Sequence, residues 1–397
     1  MDNATLGFNS APQAVRRHIA IFGRRNVGKS SLMNMLAGQQ VAIVSPQAGT
    51  TTDPVNRAIE LHPLGPCLLI DTAGYDDDGE VGLLRNERTR QVLDQADMAL
   101  LVLDRQTDLT LEKAWVEELK RREIPFVAVL NKNDLLPATA AETDMVKAAL
   151  GVSPVVVSAL NGQGKDALIQ AMATLVGEDK PLSVTGTLAA AGDVVLLVMP
   201  QDAQAPRGRL ILPQAQTIRD LLDKDCTAVC CTTDGLPRSL AALKAPPSLI
   251  ITDSQVFPQV AAVKPRESRL TSFSVLMAAL KGDLEVLSRG AAAIDRLTPH
   301  SRVLIAEACT HAPMSEDIGR EKLPRIIRER VGQGVSFDVK AGKDYPADLT
   351  PYDLIIHCGA CMFNRRMMLS RIARAQEQGV PITNYGLALA HLHGVAL

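Results

Sequence analysis

Short apolar runs alternate with longer segments of mixed polarity between His18 and Val176. The runs HIAIFG, PCLLID, MALLVLD, PFVAVLN and VVVSA are β-branched and show no polar alternation, the pattern of strands buried on both faces of a parallel sheet. Helical stretches follow most of them, which makes βαβ units. A polar, turn-rich seam covers 177–186. Beyond it the pattern resumes on a shorter scale, with VVLLVMP and RLILP as strands, a helix around 214–225, then TAVCCT and SLIITDS. A second seam lies near 263–267. After it come a helical segment over 270–297, the strand SRVLIAEAC, a helix over 315–331, the strands VSFDV and YDLIIHC, and a helix over 364–379. The expected fold is α/β with mainly parallel sheets, in three domains at 13–178, 179–265 and 266–397.

Composition narrows this picture in three ways. A chain of 397 residues is too long for one core. A net charge of −2 and an aromatic content of 3 % argue against a nucleic-acid surface. The first residues lack the apolar core of a signal peptide, and runs such as Met98–Leu103 fall far short of the ~20 residues that span a bilayer. The expectation is a soluble cytoplasmic protein with neither a nucleic-acid nor a membrane partner. In that reducing compartment the seven cysteines read as thiols or metal ligands, with Cys230 and Cys231 packed in a core.

The first block carries phosphate and base chemistry. Residues 23–30, GRRNVGKS, form a P-loop between a strand and a helix. Gly23 and Gly28 let backbone N–H groups turn inward on phosphates, Lys29 reaches the β- and γ-phosphates, and Ser30 offers its hydroxyl to Mg²⁺, with Ser31 beside it. Asp71-Thr-Ala-Gly74 ends the next clear strand. Asp71 is placed to hold Mg²⁺ and the Gly74 N–H to sense the γ-phosphate. Between them GTTTD at 49–53 suits a switch loop, in which Thr51 is expected to close on Mg²⁺ and γ-phosphate, with Thr50 and Thr52 as rivals. Asn131-Lys132-Asn-Asp134 follows PFVAVLN. The Asp134 carboxylate can accept both guanine N1–H and the 2-amino group; adenine offers no such pair of donors, and an unpaired buried carboxylate is costly. Ser158-Ala159-Leu160 then gives guanine O6 a backbone N–H from Ala159. In this order the motifs predict GTP binding with Mg²⁺ and hydrolysis to GDP and phosphate.

This block resembles the translation-factor-like GTPases, especially the subgroup of the tRNA-modification GTPase and Era-type proteins. Tyr75 stands where many GTPases place a water-orienting glutamine. Intrinsic hydrolysis is therefore expected to be slow or to use another device. Asn26 stands where members of that subgroup hold K⁺ beside the phosphates. The resemblance implies a K⁺-stimulated GTPase, the cation balancing transition-state charge as an arginine finger does.

The last quarter carries Cys309-Thr-His311 and His357-Cys358-Gly-Ala-Cys361. Two apolar strands end at Cys309 and Cys358. In one parallel sheet both would emerge at its carboxyl edge, where open α/β sheets keep their sites, with Cys361 in the next loop. Three thiolates are the minimum protein set for a 4Fe–4S cluster with one iron open or weakly held; Cys₃His with zinc is the rival. His311 and His357 are candidates for the fourth ligand. Arg365, Arg366, Arg371 and Arg374 on the following helix are expected to favour an anionic cargo.

Joined to the GTPase motifs, CxH…HCxxC resembles the FeFe-hydrogenase maturation GTPases, the HydF family, along the whole chain. That resemblance implies a homodimeric scaffold whose three cysteines hold a 4Fe–4S cluster. It would receive a transient di-iron precursor from two radical-SAM maturases and pass it to apo-FeFe-hydrogenase. Some members fill the fourth iron position with a carboxylate three residues after the first cysteine; here that residue is Ala312. Two alternatives stand beside this reading: a zinc-bearing GTPase metallochaperone, and a K⁺-dependent GTPase in tRNA or ribosome maturation.

Overall fold

The apolar runs of the first block assemble into one six-stranded sheet in a computed structural model, which describes residues 12–38, 55–72, 87–105, 108–177, 182–201, 208, 210–308, 317–342 and 344–394. Two parts are compact in their own right, residues 1–180 and 181–397.

In the first part the order along the chain is β1 (Arg17–Phe22), α1 (Lys29–Ala37), β2 (Val55–Leu61), β3 (Gly65–Asp71), α2 (Glu87–Gln95), β4 (Met98–Leu103), α3 (Thr110–Arg121), β5 (Phe126–Leu130), α4 (Ala140–Leu150), β6 (Val155–Val156) and α5 (Lys165–Val176). The sheet runs β2-β3-β1-β4-β5-β6 and is parallel except for β2. Its central strands are covered on both faces. Ile19, Ile21, Leu100 and Val102 pack into one core, and Ala20, Phe22, Leu101 and Leu103 into the other. That double burial is why these runs show no polar alternation. β2 went unread in the sequence because it is an antiparallel edge strand: Ile59 and Leu61 are buried while Asn56 and Glu60 are exposed.

The second part holds two four-stranded sheets, both parallel. The first is built from β7 (Val194–Val198), α6 (Leu212–Asp223), β8 (Thr227–Cys231), α7 (Leu236–Ala242), β9 (Leu249–Thr252), α8 (Phe257–Val263) and β10 (Arg269–Ser272), in the order β10-β9-β7-β8. RLILP does not form a strand among the described residues. Leu212 and Pro213 open α6, where a proline without N–H and with φ near helical values is at ease. Cys230, expected in a core, is exposed because β8 is the sheet's edge.

The segment 270–297, expected to be helical throughout, begins as strand β10 and breaks at Gly282-Asp283 into α9 (Phe273–Lys281) and α10 (Leu284–Ala292). Asp283 caps α10 by accepting the Val286 N–H at 3.0 Å. Next come β11 (Arg302–Glu307), α11 (Leu323–Val331), β12 (Ser336–Ala341), β13 (Leu354–His357), α12 (Arg365–Glu377), β14 (Ile382–Asn384) and α13 (Tyr385–Leu392). This sheet runs β12-β11-β13-β14. α9 serves both sheets: Phe273, Leu276 and Met277 pack with Val195 and Ile251, whereas Val275 and Ala278 pack with Leu304 and Ile355. A helix apolar on two faces is the expected product of burial between two layers.

Candidate functional site

The turn from β1 into α1 is the glycine-rich loop. Gly23 (φ +150°) lies against β4, where a Cβ would come within 2.4 Å of the Val102 carbonyl oxygen. Gly28 (φ +96°) precedes α1, and a Cβ there would meet Asn131 Nδ2 at 2.3 Å. Both positions need glycine for conformation and for space. Asn26 sits at the loop's apex with a left-handed φ of +63°. Lys29 is buried, and its Nζ donates to the Gly23 and Arg24 carbonyls at 2.9 and 2.8 Å. Burial lowers its pKa, with Asp71 opposing the shift. The loop's far side is held by Arg24, which donates from Nε and Nη2 to Glu112 of α3 at 2.8 and 3.0 Å. Sequence reading missed this pair, because Glu112 looks like any acidic residue in the first turn of a helix.

Ser30 donates its hydroxyl to Asp71 Oδ2 at 2.7 Å. Asp71 Oδ1 is buried and has no hydrogen-bond partner among the described residues. A buried carboxylate oxygen in need of a partner, beside a hydroxyl, fits a hard, oxygen-seeking dication such as Mg²⁺. Thr51 and Gly74, the other residues expected around that ion and the γ-phosphate, lie outside the described residues.

Asn131 is buried and bridges two motifs. Its Nδ2 donates to the Val27 carbonyl at 2.9 Å, and its Oδ1 accepts the Ala159 N–H at 3.0 Å. One side chain therefore ties the phosphate loop to the base-reading loop. The Ala159 N–H, expected to meet guanine O6, is engaged by Asn131 in this arrangement. Lys132 (φ +64°) donates to Asp104 Oδ2 at 3.1 Å, and Asp134 Oδ1 accepts the Ser158 hydroxyl at 2.5 Å. The motifs of β1, β3 and β5 thus meet at the carboxyl edge of the sheet, as the parallel topology requires.

The cysteines lie on the last sheet. β11 and β13 are adjacent and parallel, with Ala306 opposite His357. Cys358 follows directly: its N–H donates to the Ala306 carbonyl at 2.8 Å, and its Sγ accepts the Ala308 N–H at 3.1 Å. The sulfur is thereby directed to the end of β11, one residue short of Cys309. Cys309 and His311 themselves lie outside the described residues. Cys361 is partly exposed in the loop beyond, which turns at Ala360 (φ +51°). No group of three metal-binding side chains forms among the described residues, which supply two of the three expected thiols, Cys358 and Cys361.

Two expectations change here. His357 is fully buried, with Nδ1 at 2.9 Å from the Cys358 carbonyl and Nε2 at 2.8 Å from Arg371 Nη1. A guanidinium only donates, so Nε2 accepts and Nδ1 carries the proton. Burial first, then the Arg371 charge, push its pKa down to about 3. With both nitrogens engaged, this neutral ring does not fit the role of fourth iron ligand. Two of the arginines expected to attract cargo, Arg371 and Arg365, also turn inward. Arg371 is buried between the rings of Tyr345 and Phe363, 4.4 and 4.5 Å from their centroids. Arg365 Nη1 donates to the carbonyls of Leu280 and Gly282.

Lys281, the last residue of α9, was invisible in the sequence. It is 4 % exposed, and its Nζ donates to the carbonyls of Ala360, Cys361 and Phe363 at 3.0, 3.1 and 2.8 Å. Burial brings its pKa down to about 8, against the opposing pull of Cys361 and Cys358.

Residues 184–282 match the hydrogen maturase F dimerization domain, and residues 285–397 match the hydrogen maturase F tetramerization domain. The chain belongs to the hydrogen maturase F family. In these maturase terms α9 and Lys281 fall in the dimerization domain, whereas the cysteine loop they reach falls in the tetramerization domain. Residues 18–132 match the 50S ribosome-binding GTPase domain, in agreement with the P-loop fold. In this first domain the chain is similar to the tRNA modification GTPase MnmE of Paraburkholderia xenovorans, at 39 % identity over 160 residues, 40 % of this chain and 34 % of that protein. Its similarity to MnmE of Chromobacterium violaceum is 45 % over 119 residues, 30 % of this chain and 26 % of that protein. The chain therefore spans about a third or less of these relatives. Among solved structures, the G domain of the T. maritima FeoB iron transporter matches at 22 % identity and a TM-score of 0.33, over 41 % of this chain and 99 % of that one. Aquifex aeolicus Era bound to GDP and aluminium fluoride matches at 20 % and 0.33, over 57 % and 98 %. No helix among the described residues is long and apolar enough to cross a membrane.

Proposed function

We propose that this chain is a GTP-hydrolysing scaffold and carrier that holds a 4Fe–4S cluster on Cys309, Cys358 and Cys361 and delivers a di-iron precursor to apo-FeFe-hydrogenase. The observation that carries the reading is the pair of hydrogen maturase F domains, the second of which holds two adjacent parallel strands followed in sequence by Cys309 and Cys358. The donor set fits such a cluster, because Cys358 and Cys361 share one loop and the Cys358 sulfur is turned toward the strand that leads to Cys309. When bound, the cluster would supply an iron with an exchangeable position at which cargo attaches.

In the nucleotide domain Lys29 would balance phosphate charge, Ser30, Thr51 and Asp71 would hold Mg²⁺, and Thr51 and Gly74 would sense the γ-phosphate. Those contacts would order loops that bias partner binding, so GTP acts as a switch. Asp134 would read guanine, with Lys132 beside the base, and Ala159 would join it if its N–H turns from Asn131 to the base. Asn26 would hold K⁺ against the phosphates. GTP turnover in KCl is then expected to exceed that in NaCl at least severalfold, and Asn26→Ala should erase the difference; equal rates in the two salts for the unaltered protein would remove K⁺ from the mechanism.

The proposed partners are a second copy of the chain, two radical-SAM maturases and the apo-hydrogenase, in the cytoplasm. The decisive experiment incubates protein purified from cells expressing both maturases with apo-hydrogenase and measures hydrogen evolution. Activation is expected from that protein and not from protein made without the maturases. Failure of both to activate would refute the carrier role. The MnmE likeness favours a second reading, a K⁺-dependent GTPase acting on tRNA. The charge of −2 opposes it, and tight, salt-sensitive tRNA binding would restore it. A colourless protein holding one zinc after anaerobic reconstitution would instead support the metallochaperone alternative.

A further inference from the structure

We propose that Lys281 is a positioning residue for the cysteine site: its ammonium fixes the loop of Cys361 and supplies the positive charge that sets the reduction potential of a cluster held there. The proposal rests on the cluster reading above. A lysine is almost never fully buried without a charged partner, yet among the described residues Lys281 meets no carboxylate. Its three hydrogen bonds all go to loop carbonyls, at Ala360, Cys361 and Phe363. Carbonyls only accept, and a neutral amine has two donors where an ammonium has three, so the cage is made for the charged form. The groups whose ionised forms would act on it are the sulfurs of Cys361 and Cys358. Bound as thiolates in a cluster, those sulfurs would supply the counter-charge that this buried ammonium does not find among the carboxylates of the described residues.

The attachment is reciprocal. Lys281 at the end of α9 holds the loop before α12, and Arg365 at the start of α12 holds the last carbonyls of α9 at Leu280 and Gly282. The two helix ends are cross-tied, and the loop takes its position from a helix that also packs on the sheet of the dimerization domain through Phe273, Leu276 and Met277. Metal sites lose affinity roughly 10–100-fold when an outer group that orients the ligands is removed.

The test compares Lys281→Met and Lys281→Gln with the unaltered full-length protein after anaerobic reconstitution. Both variants remove the charge, and Gln retains N–H donors. The expected result is a more negative cluster reduction potential in both, because the oxidised and reduced clusters no longer face a fixed cation. Cluster half-life against an iron chelator should fall about tenfold in Met and less in Gln. Unchanged potentials in both variants would overturn the electrostatic role, and an unchanged half-life in Met would overturn the positioning role. GTP turnover and circular dichroism report folding; if Met misfolds, Gln alone decides. If the unaltered protein takes up no cluster, the cluster reading fails, and cobalt(II)–thiolate absorbance then reads the loop itself: equal cobalt affinity in both variants and the unaltered protein would refute the Lys281 clamp.

Discussion

Cys361→Ala protein, reconstituted anaerobically with iron and sulfide, is expected to lose nearly all of its bound iron and its S = 1/2 signal on reduction. GTP turnover should stay within about twofold, since the change removes none of the groups of the nucleotide motifs. Three thiolates are the smallest set that holds a four-iron cluster with one open corner, and two do not suffice. Cys361 is the cleaner of the two described positions, because it is partly exposed and the bond it accepts from Lys281 goes to its backbone carbonyl, which alanine keeps. Cys358 differs: its Sγ accepts the Ala308 N–H, so Cys358→Ala also strands a backbone donor at a cost of ~1–3 kcal/mol. Iron analysis, electron paramagnetic resonance and a thermal melt separate the effects. Cys361→Ala should lose iron without a lower melting point, and Cys358→Ala should show both losses. A full signal in Cys361→Ala would exclude this residue from the site.

Asp134→Asn is expected to weaken GTP binding by about a hundredfold or more while raising affinity for xanthosine triphosphate. Each charge-assisted hydrogen bond from guanine N1–H and the 2-amino group contributes ~1.5–3 kcal/mol, and losing both removes at least about 3 kcal/mol, some two decades in Kd. In xanthine the 2-amino group is replaced by a carbonyl, which the asparagine N–H can meet. The Ser158 hydroxyl that now donates to Asp134 Oδ1 can still donate to an amide oxygen, so the side chain keeps its support. Isothermal titration with both nucleotides decides the matter. Equal losses for the two would mean that Asp134 acts by holding the loop rather than by reading the base.

The nucleotide motifs were legible because each works through neighbours in sequence. The P-loop is one turn of backbone between β1 and α1, and its glycines announce both the tight conformation and the close approach of Val102 and Asn131. The parallel sheets were legible for a similar reason: strands covered on both faces carry unbroken apolar runs. Where one face meets solvent the signal weakened, as in β2, and where a proline opened a helix the apolar run RLILP misled. The cysteine positions at the ends of β11 and β13 followed from the same strand logic, which the register of Ala306 with His357 bears out for those two strands.

Other roles have no local signature. Lys281 lies 79 residues before the first carbonyl it holds, and in sequence it is an ordinary basic residue in the last turn of a helix. His357 and Arg371 are 14 residues apart, and each alone resembles a site residue. Packed together, each is a hydrogen-bond partner of the other. Composition, periodicity and contiguous motifs were enough to establish the GTPase domain and the α/β class and to single out the cysteines as candidates, because those depend on short-range geometry and on patterns of burial. Which polar groups face the site and which are spent on holding it was settled by folding, because a buried hydrogen bond or charge takes its meaning from partners that the chain brings together across long separations.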